Sequence, residues 1–189
     1  MLFHELLAAT VAALEARDSY TASHSSRVAE FVEFLCRLLQ LPDEQSETIH
    51  IAAHVHDIGK IGIPDAILHK SGKLTNEEWS IMRRHPAIGF NILSKVRGFE
   101  DIALCVRHHH ERWDGSGYPD GLSGEAIPLG ARIISLADSV DAMMSVRKYR
   151  QKLAAEECRN EILLGQGRMY DPQIANLMLV HWSDLPLFD

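Results

Sequence analysis

The run Ile49-His50-Ile51-Ala52-Ala53-His54-Val55-His56-Asp57-Ile58-Gly59-Lys60 decides how this chain is read. An apolar segment closes on an adjacent His-Asp pair, and Gly59 and Lys60 follow within one helical turn. An imidazole beside a carboxylate can begin a divalent-metal site, but two ligands do not complete one. The reading therefore depends on whether other segments supply the rest. His54 and His56 are two residues apart and point to different faces of a helix. If His56 faces a site, His54 does not, so His50 and His54, at i and i+4, read as structural or surface groups.

Working outward, Pro42 and Asp43 start the helix that ends in this run. Before it, Leu2 to Ala16 reads as a helix, with Phe3, Leu6, Leu7, Val11 and Leu14 at helical spacing. Thr21 or Ser23 can cap a second helix to about Gln40, burying Val28, Phe31, Val32, Leu35, Leu38 and Leu39 and placing His24 in its first turn. After it, Ile58 to Lys73 is broken by Gly59, Gly62, Pro64 and Gly72 and reads as a loop with one turn of helix. Thr75-Asn76-Glu77-Glu78 has capping-box spacing and starts a short helix through Met82. His85-Pro86 restarts the chain in a helix to about Val96, and another runs from Phe99 to His108-His109-His110. Trp113 to Gly130 is the longest irregular stretch, and loops of that length inside a compact domain are usually functional. Helices follow over Ala131–Ser145, Ala154–Leu164 and Pro172–His181, the last with Asp171 as N-cap. No run alternates with period two. The prediction is an all-α fold, a compact multi-helix bundle of one domain over residues 1–189 with one long irregular loop.

Composition narrows the function. The chain has 189 residues, and no apolar run approaches the ~20 residues of a membrane span. Met1-Leu2-Phe3-His4-Glu5 lacks the basic start and apolar core of a secretory leader, which predicts a cytoplasmic chain. Cys36, Cys105 and Cys158 are far apart with no CxxC, which disfavours a disulfide framework or a thiolate zinc site. A formal charge of −7 argues against a nucleic-acid polymer as partner.

Histidine is over-represented, with eleven residues, most of them between His50 and His110. Five places offer metal ligands: His24; His56 with Asp57; His85; two of the His108-His109-His110 triple; and Asp138 inside the apolar segment Ile133-Ile134-Ser135-Leu136-Ala137-Asp138. A carboxylate on a buried face is costly unless it is paired or binds a cation; the ordinary alternatives for Asp138 are solvent or a pair with Arg132 or Arg147. His4, His69 and His181 stand alone and read as surface groups. Imidazoles and carboxylates without thiolates suit Fe, Mn, Ni, Co or Zn. Seven ligands exceed the need of one ion. A carboxylate can bridge two, and two ions about 3.5–4 Å apart can activate water for in-line attack on phosphorus. The residues thus point to a dinuclear phosphohydrolase.

From Glu15-Ala16-Arg17-Asp18 to about Gln173 the chain resembles the HD-GYP family, a branch of the HD-domain phosphohydrolases. The resemblance rests on Tyr20–Val28, on His56-Asp57-Ile58-Gly59-Lys60-Ile61-Gly62-Ile63-Pro64, on Met82-Arg83-Arg84-His85-Pro86, on His109-His110-Glu111-Arg112-Trp113-Asp114-Gly115-Ser116-Gly117-Tyr118-Pro119, and on Ala137–Met143. It implies an HD-domain bundle that hydrolyses cyclic di-GMP to pGpG, and onward to GMP where the cleft allows a second cut, by means of a hydroxide bridging two metals. It implies one ion on His24, His56, Asp57 and Asp138, and a second on Asp57, His85, His109 and His110, with iron the foremost expectation. It gives Asp57 and Lys60 catalytic roles, Arg147 and Arg150 the substrate phosphates, and Gly117 and Tyr118 the cleft or a docking surface. The alternatives are a cyclic-dinucleotide-binding or protein-docking module, or hydrolysis of another cyclic dinucleotide or a nucleotide. Implied partners are a diguanylate cyclase, an upstream sensory or receiver domain, and a second copy of the chain. Two departures bear on these expectations. Tyr20 stands where some members carry the Glu of a third metal, so two ions are expected. In Val146-Arg147-Lys148-Tyr149-Arg150 the family's proline is replaced.

Overall fold

The computed structural model describes residues 2–17, 24–145 and 152–186. Ten α-helices run through them: α1 (Leu2–Arg17), α2 (His24–Leu38), α3 (Asp43–Val55), α4 (Asp65–Leu68), α5 (Asn76–Met82), α6 (His85–Leu93), α7 (Glu100–His108), α8 (Leu129–Met144), α9 (Ala155–Gly165) and α10 (Pro172–Val180). Among the described residues there is no strand, only an isolated bridge between Gln166 and Tyr170. The all-α reading is correct. No helix there is long and apolar enough to cross a membrane.

The centre of the bundle is α2 packed against α3 and α8, with α7 against α3 and α8. Val28, Phe31, Val32 and Leu35 recur at 3–4-residue spacing on α2 and are fully buried, as are Ile133, Ile134, Leu136, Ala137 and Val140 on α8. Each of the larger side chains among them contributes about 1.5–3 kcal/mol by leaving water, so this seam fixes the helices that carry His24 and Asp138. Ile162 of α9 and Ile174 and Met178 of α10 close the core from the C-terminal side.

Helix starts follow their signals. Thr75 Oγ1 accepts the Glu78 N–H at 3.3 Å, while Glu78 Oε2 accepts the Thr75 N–H at 2.7 Å, the reciprocal box expected from that spacing. Asp171 accepts the N–H groups of Gln173 and Ile174 at 2.8 and 3.3 Å, capping α10. Boundaries shift by a few residues: α6 stops at Leu93, short of Val96, and α8 starts at Leu129, directly after Pro128. The Ile58–Lys73 segment holds a 3₁₀ turn (Ile58–Gly62) as well as α4.

That 3₁₀ turn packs on α6, and Gly59 is the reason it can. A Cβ on Gly59 would overlap the His85 carbonyl and come within 2.5 Å of the Gly89 nitrogen. The missing side chain lets the segment after His56-Asp57 lie against the first turn of α6, which brings His85 beside Asp57.

Candidate metal centre

Four of the five histidines of the centre, His24, His56, His85 and His109, are aimed from the far side. His56 Nδ1 lies 2.7 Å from the Ala53 carbonyl, His85 Nδ1 2.9 Å from that of Met82, and His109 Nδ1 2.7 Å from that of Val106. A carbonyl only accepts, so Nδ1 carries a proton in all three and Nε2 is the nitrogen left to face a metal. His24 instead sets Nδ1 2.6 Å from Asp141 Oδ2. A carbonyl or carboxylate behind an imidazole is the usual outer support of a metal-ligating histidine.

The ligand atoms form two groups, His24 with His56 and Asp138, and His85 with His109 and His110, each with its atoms within 4.8 Å of one another. Asp57 stands between them: Oδ2 is 3.4 Å from His56 Nε2, and Oδ1 is 3.3 Å from His85 Nε2. Lys60 Nζ lies 2.7 Å from Asp57 Oδ2. Asp138 Oδ1 is 3.3 Å from His24 Nε2. The groups touch, the His56 and His109 rings lying 5.2 Å apart. His56 Nε2 is buried and has no hydrogen-bond partner among the described residues. An orphaned buried nitrogen costs about 1–3 kcal/mol, and a cation would satisfy it. Imidazole and carboxylate donors with no thiolate fit a first-row divalent ion.

Burial pulls the basicity of His109 and His110 down, the neighbouring imidazoles add to this, and His110 falls to about 3. Burial also lowers His85, against Asp57. At His24 burial acts the same way, but hydrogen bonds to Asp138 and Asp141 outweigh it and raise the ring to about 9. Burial would raise Asp57, yet Lys60, His56 and His85 hold it well below the usual carboxylate range. Asp138 is likewise held low against burial by His24 and the other imidazoles. Without metal the centre thus holds two carboxylates, an imidazolium at His24 and neutral imidazoles at His85, His109 and His110.

The seven side chains singled out in the sequence come together in one place. Asp138 faces His24, while Arg132, its alternative partner, pairs with Asp171 at 2.6 Å. His50 and His54 lie outside both groups, their Nε2 atoms 3.2 Å apart. His69 and His181 lie beside Asp65 and Asp184. Tyr118 sits at the rim, 4.9 Å from the His110 ring, with the Arg83 guanidinium 5.3 Å from its own ring. Gly117 is a packing position, since a Cβ there would meet the backbone of Glu111 and Arg112. Tyr20, Arg147 and Arg150 lie outside the described residues. Sequence reasoning assigned no role to Asp141, which is 1% exposed and takes His24, Arg27 and Ser145 together. Its only sequence signal is a second acid three residues after Asp138. Arg17 was also passed over; it donates to the carbonyls of Lys60 at 2.9 Å, Ile61 at 2.5 Å and Ile63 at 2.6 Å.

Fold and site define an all-α protein built around a compound His/Asp cluster. The HD domain family model matches residues 8–174, and the chain belongs to that family. It is 41% identical over 174 residues to the 3'3'-cGAMP-specific phosphodiesterase 2 of Vibrio cholerae, covering 91% of this chain and 33% of the relative. It is 42% identical over 177 residues to the cyclic di-GMP phosphodiesterase response regulator RpfG of Xanthomonas campestris, covering 93% and 47%. In fold it is similar to the crystal structure of a cyclic GMP-AMP-specific phosphodiesterase of V. cholerae, V-cGAP3, with a TM-score of 0.74 and 19% identity over 96% of this chain and 49% of that one. The chain thus spans between a third and a half of the length of these relatives.

Proposed function

We propose that this chain hydrolyses a phosphodiester bond of a cyclic dinucleotide, cyclic di-GMP foremost, releasing pGpG and, on a second cut, GMP. The observation that carries this reading is the position of Asp57, with one carboxylate oxygen toward each histidine group. Such a carboxylate suits a bridge between two ions, one on His24, His56 and Asp138, the other on His85, His109 and His110. Two divalent ions held there, with iron favoured, would supply an activated water and neutralise charge on the phosphate. The protein does the rest. Backbone carbonyls and Asp141 hold the imidazoles of His24, His56, His85 and His109 in one tautomer and one direction. Lys60 pins Asp57, and its ammonium would offset the negative charge that collects on the leaving 3′-oxygen. Tyr118 and Arg83 form the rim against which a base or phosphate can lie, and Arg147 and Arg150 complete phosphate recognition. Relatives named for cyclic di-GMP and for 3'3'-cGAMP support the substrate class.

The test is an anaerobically prepared, Fe- or Mn-loaded chain given cyclic di-GMP, 3'3'-cGAMP and cyclic di-AMP, with products separated by chromatography. The native chain is expected to produce pGpG from cyclic di-GMP, and Asp57→Ala to lose turnover and the metal held by the two groups beside Asp57 while remaining helical. Undiminished turnover by Asp57→Ala would remove the bridging carboxylate from the reaction. Failure of the loaded native chain to cut any of the three substrates would leave binding without hydrolysis.

A further inference from the structure

The end of α7 carries more ligand chemistry than the centre uses. His108 is 6% exposed and Glu111 2% exposed. His108 Nδ1 stands 3.7 Å from Glu111 Oε1 and 3.7 Å from Asp120 Oδ2, too far for a hydrogen bond to either. It has no hydrogen-bond partner among the described residues, and neither does the buried Glu111 Oε2. Each such orphan costs about 1–3 kcal/mol, so two side by side call for an occupant. The neighbouring polar groups are already engaged. Glu111 Oε1 accepts the N–H groups of Asp120 at 2.7 Å and Gly121 at 3.1 Å. Arg107 donates to Asp120 Oδ2 at 2.7 Å and Oδ1 at 2.8 Å while lying over the Phe90 ring.

The spacing fits a metal ion. Donors about 2.0–2.2 Å from one ion lie some 3.4 Å from each other in a tetrahedron; His108 Nδ1 lies 3.7 Å from the nearer oxygens of Glu111 and Asp120, and one atom from each of the three residues can be chosen with all three within 4.8 Å of one another. Two carboxylates against one guanidinium leave one negative charge for a cation to meet. Arg107 fixes Asp120 through both its oxygens and leaves each a second lone pair, the role an outer partner plays for a ligating carboxylate.

We propose that His108, Glu111 and Asp120 form a separate site for one divalent ion of the zinc class, with water completing the shell. The ion would tie the loop that follows Glu111 to the end of α7. That loop carries Tyr118, whose N–H donates to the His110 carbonyl at 3.2 Å, so the same ion would set Tyr118 against the centre.

The test reads metal directly. The native chain, stripped with a chelator, is titrated with Co²⁺ followed by its visible absorption, and with Zn²⁺ followed by elemental analysis after gel filtration. Asp120→Asn and His108→Gln are expected to lose one equivalent relative to the native chain, or to bind it at least ~10-fold more weakly, with the helical circular dichroism unchanged. Asp120 is at the surface, so its variant remains decisive if His108→Gln does not fold. In Asp57→Ala the equivalent is expected to persist, which separates this site from the main centre. Native stoichiometry and affinity in Asp120→Asn would overturn the proposal and leave His108 Nδ1 and Glu111 Oε2 to water. Loss of every equivalent in a folded Asp57→Ala would overturn it too.

Discussion

Asp141→Asn removes a charge and keeps an acceptor, which makes it a sharp probe of the centre. Asp141 Oδ2 receives His24 Nδ1 at 2.6 Å, Arg27 Nη2 at 3.1 Å and the Ser145 hydroxyl at 3.3 Å. In the metal-free protein burial depresses His24, but Asp138 and Asp141 reverse this and carry it to about 9. At pH 7 the ring therefore holds a proton that an incoming cation must displace. Two pH units below the pKa, that competition costs a factor of about 100 in affinity, or ~2.7 kcal/mol. Affinity of the ion on His24 should rise about tenfold per pH unit from pH 7 and level off near pH 9. The substitution acts twice. It withdraws one source of His24 basicity, so levelling off begins at a lower pH. It also weakens the orienting partner of the ring, a loss of about 10–100-fold, which only the alkaline plateau shows in full. The variant should thus bind 10–100-fold more weakly at pH 9, with a smaller deficit at pH 7. Competition against a coloured chelator for Zn²⁺ between pH 6.5 and 9.5, with circular dichroism to establish folding, gives both curves. A native affinity that is flat from pH 7 to 9, or a variant curve parallel to the native one throughout, would refute the reasoning.

Three further outcomes are expected. In chelator, stability should peak near pH 6.5. His24 is raised to about 9, so its contribution is complete below 6.5 and lost as pH rises to about 9, on the order of 3 kcal/mol; His110 is lowered to about 3, so its contribution is complete above 6.5 and lost as pH falls. A melting temperature that changes in one direction only from pH 4 to 9 would contradict this. Gly59→Ala should cost about 1–3 kcal/mol by overpacking, because its Cβ meets the His85 carbonyl; an unmoved urea midpoint would mean the turn can retreat freely. Arg17→Ala removes the bonds to the Lys60, Ile61 and Ile63 carbonyls and the 2.8 Å ion pair with Asp65. It should cost about 1–2 kcal/mol and lower kcat rather than raise KM, with metal content unchanged; a native kcat would separate α1 from the placing of Lys60.

What could be read in the sequence, and what could not, divides by the range of the forces involved. Helix starts at Thr75 and Asp171 were legible because a cap acts over three residues and its chemistry lies wholly within that window. The convergence of His24, His56, Asp57, His85, Asp138 and two of the His108-His109-His110 triple was legible for a different reason: seven donors in five separate segments have few ways to be satisfied except together, and the resemblance to the HD-GYP family then singled out His109 and His110. The supports behind them had no such signal. Asp141 finds His24 across 117 residues, and Arg17 finds Ile61 across 44; an acid or a guanidinium carries no mark of which distant group it will meet. The imidazole–carbonyl bonds at Ala53, Met82 and Val106 are hidden too, since every residue has a carbonyl. Glu111 shows the difference most plainly. In the sequence it is only one residue of a motif, and in the fold one of its oxygens is spent on the amides of Asp120 and Gly121. Its other oxygen, buried and unpartnered, is a property of the packing alone, which is why the His108 site arises from the structure and not from the motif.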